Sequence, residues 1–232
     1  MNYLRSELGY KLICNTARSK DFNKQYFDIL HFDYSILFGG SLIINKNEEI
    51  LYKETMNKKL INDISKILLK KSKTFSIYML DELFNNDKNY KSQNAQYFDF
   101  KKELNKESYK IVASFKDNYE AYKIANEFDL VFIPYLNGDF GRFNLKNTSK
   151  ENGNKILMDL INGQLKDAFV FGDDIGDLKM IQEAGVGVIM KNANESLKKE
   201  VRFITKEDNN NDGLARFLIE YLNLDLNKIL KK

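Results

Sequence analysis

Apolar and polar positions along this chain fall into short blocks, and the spacing within the blocks switches between that of strands and that of helices. Residues 11–15 (KLICN) form a brief apolar run, the pattern of a buried strand. Residues 20–30 read as a helix and 34–38 (YSILF) as a second strand. After Gly39-Gly40, SLIINKNEEILYKE reads as two strand segments around a turn at 45–48. Leu60, Ile61, Ile64, Ile67 and Leu68 recur at helical spacing and predict an amphipathic helix over 56–71. Strands are expected at 74–80 and 109–115, separated by a Lys/Asn-rich stretch, 84–106, that has no assignable period. Asp117 and Glu120 have capping-box spacing and open a helix at 118–127. Strands follow near 130–134 and 140–145, with the only proline, Pro134, between them, where its missing N–H costs little. From about 153 the alternation returns: helix 154–163, strand 168–172, helix 177–184, strand 186–190 and a C-terminal helix at 212–222. Alternation at both ends around a β-rich middle predicts an α/β fold. Its parallel-sheet core comprises 1–49 and 148–232 and is interrupted by an inserted unit at 50–147.

Composition narrows the function classes. At 232 residues, 43% hydrophobic and 30% charged, the chain can bury a real core. Lys+Arg 36 against Asp+Glu 33 gives +3, with acids and bases interleaved, which argues against nucleic acid or a membrane surface as partner. No apolar run approaches the ~20 residues of a membrane span, and the N-terminus lacks a signal-peptide core. A single cysteine, Cys14, allows no internal disulfide and makes a reducing cytoplasm the expected location. Set in an apolar run, Cys14 reads as a buried small hydrophobe. One histidine, His31, excludes a multi-His metal site and gives a Ser-His-Asp triad little support.

The candidate chemistry lies at 170–180, VFGDDIGDLKM. An apolar run ends in Gly172, and Asp173, Asp174 and Asp177 follow at the carboxyl end of a predicted strand, where doubly wound sheets collect ligands. Three like charges so close repel one another unless a cation sits among them. Oxygen ligands without Cys or His favour Mg²⁺, which takes one or two carboxylates plus substrate phosphate oxygens. The alternative is that Asp174 and Asp177 only start the next helix, where carboxylates favour the positive end of the dipole.

Residues 169–218 resemble the C-terminal block of the haloacid dehalogenase superfamily, in its Cof-like branch with a large inserted cap, which is also similar to sugar-phosphate phosphatases. The acidic turn (Gly172 to Asp177), the AG-GVAM-NA stretch (Ala184 to Ala193) and the late DG-A–L ending (Asp212 to Leu218) carry the likeness. Upstream, LICNTARS resembles the strand ending in TGR, SILFGGSLI the next strand with its NGA turn, and FNLKNTSK the return from the cap. The resemblance implies a Rossmann-like core with an α+β cap and a Mg²⁺-dependent phosphatase acting on a small phosphorylated metabolite. It implies phosphate-binding roles for Thr16, Lys150 and Asn192, with Lys155 as the alternative to Lys150. It makes Asp173 and Asp177 the metal residues, Asp173 as ligand and Asp177 to orient the ion's waters or Lys150. The polar, Tyr- and Lys-containing loops near 84–98 and 135–142 are candidates to face the site, with solvated surface as the alternative.

The resemblance also marks an absence. The family's first motif, DxDGT, supplies the nucleophilic Asp and a second Asp as general acid/base. Residues 1–14 (MNYLRSELGYKLIC) contain no Asp, so no catalytic residue is identified, and the chain is expected to begin after the first core strand. That strand belongs between the strand ending near Thr16 and the one ending near Gly172. Its loss is expected to leave buried unpaired N–H and C=O groups, at ~1–3 kcal/mol each. TGR has become TAR, the Asn of GDxxND is Gly176, and NGA is GGS. Two readings stay open: an enzyme lacking its first strand here, or a degenerate relative that binds a phosphorylated ligand or a protein partner without turnover.

Overall fold

Each run of β-branched and aromatic residues picked out above lies in one of three sheets. A computed structural model of the chain describes residues 1–92, 94–135 and 139–230; position 93 of the 84–98 loop and positions 136–138 of the 135–142 loop lie outside the described residues. The chain opens with a helix, α1 (Asn2–Leu8), and then enters the first sheet. Strand β1 (Ile13–Asn15) pairs in parallel with β2 (Tyr34–Leu37), and α2 (Lys24–Leu30) lies between them in sequence. Strands β3 (Leu42–Asn45) and β4 (Ile50–Lys53) extend the sheet antiparallel, in the order β1-β2-β3-β4. Strand β4 thus stays with the first sheet, past position 49.

Helix α3 (Lys58–Lys71) starts where the Asn57 side chain accepts the Leu60 N–H at 2.9 Å. It leads into a six-stranded sheet of β5 (Phe75–Tyr78), β6 (Leu83–Asn85), β7 (Ala95–Tyr97), β8 (Lys110–Ser114), β9 (Leu130–Pro134) and β10 (Phe140–Leu145), ordered β7-β6-β5-β8-β10-β9. Helix α4 (Asn118–Glu127) begins at Asp117 as its spacing predicts. Ile61, Ile64 and Leu68 of α3 pack with Ile77, Ile111 and Phe143 in one contiguous core. This unit meets the first sheet at a loop of positive-φ residues, Phe38 (φ 52), Gly39 (φ 71) and Gly40 (φ 106). The Phe38 ring stacks on Tyr109 at 4.6 Å, and the Asn144 amide donates to the Phe38 carbonyl at 3.3 Å. A Cβ on Gly40 would stand 2.2 Å from the Ser149 carbonyl oxygen, so only glycine allows that approach.

Helix α5 (Lys150–Leu160) starts four residues before the predicted 154. Gly153 lies in its first turn, where a Cβ would stand 2.5 Å from Ile36 Cγ2. The glycine lets the helix press onto β2. The chain then forms β11 (Phe169–Gly172), α6 (Leu178–Glu183), β12 (Val186–Ile189), α7 (Glu195–Lys198), β13 (Phe203–Ile204), α8 (Gly213–Tyr221) and α9 (Leu226–Leu230). The three strands form a parallel sheet, β11-β12-β13.

The parallel core is therefore split. Among the described residues β1 has one partner strand, β2, and β11 has one, β12, and no strand lies between them. Both are half-buried along their length. One end of the gap is closed by the Tyr10 ring, edge-on to Phe169 at 5.9 Å.

Candidate active site

The acidic turn folds back on the strand that leads into it. A Cβ on Gly172 would lie 2.4 Å from Asp177 Cβ, so the bare glycine is what lets Asp177 tuck under the strand end. Asp174 and Asp177 cap the turn reciprocally. Asp177 is 3% exposed. Its Oδ2 accepts the backbone N–H groups of Asp173 (3.0 Å) and Asp174 (3.1 Å), and its Oδ1 takes the ammonium of Lys150. Lys150 is the first residue of α5, whose N-terminus Ser149 caps at the Asn152 N–H.

The end of β1 joins the same cluster. The Asn15 amide donates to the Lys150 carbonyl at 2.9 Å and to Asn154 Oδ1 at 2.8 Å. Thr16 follows directly. Its Oγ1 accepts the Arg18 N–H at 3.2 Å, which leaves the hydroxyl proton for a ligand. On the far side, the Asn192 amide donates to Asp173 Oδ2 at 3.3 Å. The structure thus links Lys150, Asp177, Asp173 and Asn192; Thr16 comes to them through its neighbour Asn15, whose amide reaches the Lys150 carbonyl. Lys155 is elsewhere, paired with Glu183 at 2.7 Å.

The three acids do not act as one metal cage. Asp177 has both oxygens engaged, and Asp174 caps the turn, which leaves the exposed Asp173, its Oδ2 accepting the Asn192 amide, as the carboxylate open to a cation. Among the described residues no group of three His, Cys, Asp or Glu side chains is placed to hold a metal ion. This donor set fits one corner of a Mg²⁺ shell and does not complete it.

A cleft of about 410 Å³ opens beside the turn. Lys150 and Asp174 line it from the turn side, and Arg18 and Ala17 from beyond β1. Tyr78, Lys110, Tyr135 and Arg142 line it from the six-stranded sheet. Lys110 is 5% exposed; its ammonium donates to the Ala17 carbonyl at 2.8 Å and stands 4.3 Å from the centre of the Tyr78 ring. Burial, helped by the charges of Arg142 and Arg18, pushes its pKa down to about 7. Burial raises the Tyr135 hydroxyl, an effect that its hydrogen bond to Arg142 offsets in part. Burial also pushes Cys14 up to about 11, so this thiol stays protonated and is a poor nucleophile. Sequence reasoning missed Lys110 and Arg142. Their signal was a lone base inside each of two apolar strand runs, KIVAS and FGRFNL. A larger cleft, about 610 Å³, is lined by Phe27, His31, Asp33 and Glu48 among others, and by no residue of the acidic turn.

A family model described as haloacid dehalogenase-like hydrolase matches residues 2–218. The chain belongs to the haloacid dehalogenase-like hydrolases. It is 24% identical over 200 residues to "Putative phosphatase" of Haemophilus influenzae, covering 80% of this chain and 74% of that one. It is 29% identical over 163 residues to "Putative phosphatase MG265" of Mycoplasma genitalium, covering 69% and 56%. Among solved structures, the subclass IIB sugar phosphatase BT4131 superposes with a TM-score of 0.77 at 18% identity, covering 94% of this chain and 87% of that one. The likeness extends over both the split core and the six-stranded unit. Among the described residues, no helix of this hydrolase-family chain is long and apolar enough to cross a membrane.

Proposed function

We propose that this chain carries the phosphate-binding half of a Mg²⁺-dependent phosphatase of small phosphorylated metabolites, sugar phosphates among them. One observation supports the reading above others: Lys150, held on buried Asp177, stands at the carboxyl end of β11 with Asp173 and Asn192. The Lys150 ammonium and the Thr16 hydroxyl donate to the phosphoryl oxygens and stabilise their charge. Asp177 orients Lys150, and Asn192 orients Asp173 while adding an amide donor at the site. Asp173 is the carboxylate that would hold Mg²⁺, which when bound neutralises phosphoryl charge. Residues 1–49 with 148–232 act as the core, extended by strand β4 (Ile50–Lys53), and the rest of 50–147 acts as a cap over the cleft. Among the described residues the one carboxylate lining the cleft is Asp174, an exposed turn residue; by the family resemblance the nucleophile would come from a strand seated between β1 and β11 and ending in Asp-x-Asp-Gly-Thr. A reducing cytoplasm suits the lone thiol.

The test compares this chain with a version extended by such a strand, on p-nitrophenyl phosphate and a panel of sugar phosphates with Mg²⁺. Phosphate release by the extended chain, lost in Asp173→Ala, is the expected result. A second reading, a binding domain without turnover, is favoured by the incomplete donor set at Asp173. Ligand binding with no turnover by the extended chain would decide for it.

A further inference from the structure

The cleft holds more positive charge than one phosphoryl group needs. Lys150 is already paired with Asp177, yet Arg18, Lys110 and Arg142 also line the space, facing one carboxylate, Asp174. Among the described residues none of these three forms an ion pair with an Asp or Glu. Lys110 and Arg142 are the deeper two, 5% and 8% exposed. Lys110 has three N–H donors, and its hydrogen bond is to the Ala17 carbonyl. Arg142 Nε is buried with no hydrogen-bond partner. Arg142 sits opposite Val112 across the β8–β10 ladder. Lys110, two residues from Val112, is therefore its diagonal neighbour on the same sheet face. Like charges at such positions destabilise a sheet, and buried charges without counter-ions cost more. A fold keeps such an arrangement when an anion completes it.

We propose that Lys110 and Arg142 form a second anion subsite, so that the ligand of this cleft is a phosphate monoester bearing a further carboxylate or phosphate group. The proposal rests on the phosphate-site reading for the first anion, at Lys150 and Thr16. The space of about 410 Å³ accommodates a metabolite and not merely inorganic phosphate. The Arg142 fork suits bidentate binding of a carboxylate or phosphate, and Lys110 adds a point charge beside it. The depressed Lys110 pKa is consistent, because a bound anion favours the protonated ammonium.

Calorimetric titration of the full chain with three-carbon probes separates the two anions. The probes are glycerol 3-phosphate, 3-phosphoglycerate and 2,3-bisphosphoglycerate. The latter two are expected to bind about tenfold or more tightly than the first. In Lys110→Met and in Arg142→Gln that preference collapses, and Lys110→Met raises the melting temperature of the free protein, the reverse of what a purely structural lysine would give. Equal binding of the three probes, a preference that survives both substitutions, or binding of none of them overturns the inference. The phosphate-site reading has its own arm: Lys150→Met weakens all three. If Lys150→Met changes nothing while Lys110→Met removes the preference, the second subsite stands and the phosphate site lies elsewhere.

Discussion

Lys150 and Lys155 are five residues apart on one helix, and their surroundings set different consequences for losing each. The Lys150–Asp177 pair is buried, so Lys150→Met strands a carboxylate with only two backbone donors left. Removing one member of such a pair costs ~3 kcal/mol. The Lys155–Glu183 pair is exposed, and Lys155→Met is expected to change stability by less than ~1 kcal/mol. Urea unfolding of both variants at neutral pH checks the contrast; equal losses would contradict the role given to Asp177. Lys110 makes a pH prediction. Its pKa is near 7 in the folded chain and near its ordinary value of 10.5 when unfolded, so between those values the unfolded chain binds more protons. Stability should therefore rise with pH across that window and be lowest, from this group, below pH 7. The groups facing the ammonium are Arg18, Arg142 and the Tyr78 ring, with the Tyr78 hydroxyl held protonated by burial. Chemical unfolding at pH 6.5 and 9 should show a rise in the wild type that is smaller in Lys110→Met. Identical slopes would remove Lys110 as the cause.

At the scale of the element, the acidic turn depends on the strand end before it. Gly172→Ala places a methyl group 2.4 Å from Asp177 Cβ, so either strand β11 or the turn must move. The expected cost is ~1–3 kcal/mol. Because the displaced group is the partner of Lys150, the double variant Gly172→Ala/Lys150→Met should be less destabilised than the sum of the two. Strict additivity in urea unfolding would mean that the two positions do not share Asp177. This turn was legible in the sequence because a strand-ending glycine and three acids leave few other arrangements. Helix α4 was legible for the same reason: Asp117 and Glu120 mark its start on the chain itself. What stayed hidden depends on partners distant in sequence. The early start of α5 stayed hidden because what Gly153 is for, contact with Ile36, lies more than a hundred residues away. Strands β6 and β7 were lost at the Lys/Asn-rich middle because each is three residues long and β7 is mostly exposed. Lys110 and Arg142 went unnoticed because only the pairing of β8 with β10 sets them on one face.

For the molecule as a whole, the split between β1 and β11 governs how stability is distributed. The six-stranded unit has one contiguous core running from Met56 to Phe143. The split core is held by three smaller clusters: Leu37 with Phe38 and Leu42, Ile36 with Ile43 and Leu157, and Ile181 with Ile189 and Leu197. Cooperativity follows contiguous apolar contact, and strands with an unpaired edge expose their amides to water on that side. The two units should therefore open separately. In hydrogen exchange measured along a urea series, amides of β1, β2, β11 and β12 are expected to lose protection first. Those of β5, β8 and β10 should hold to higher urea. An extended peptide ending in Asp-x-Asp-Gly-Thr, added in excess, should raise protection in β1 and β11 before it affects the six-stranded sheet, because among the described residues each of those two strands has one edge without a partner strand. Loss of protection at one common urea concentration would show that the Phe38–Tyr109 stack and the Lys110–Ala17 hydrogen bond couple the units into one. Protection unchanged by the peptide would mean that β1 and β11 have closed on each other and that the gap is no longer a receptor for a strand.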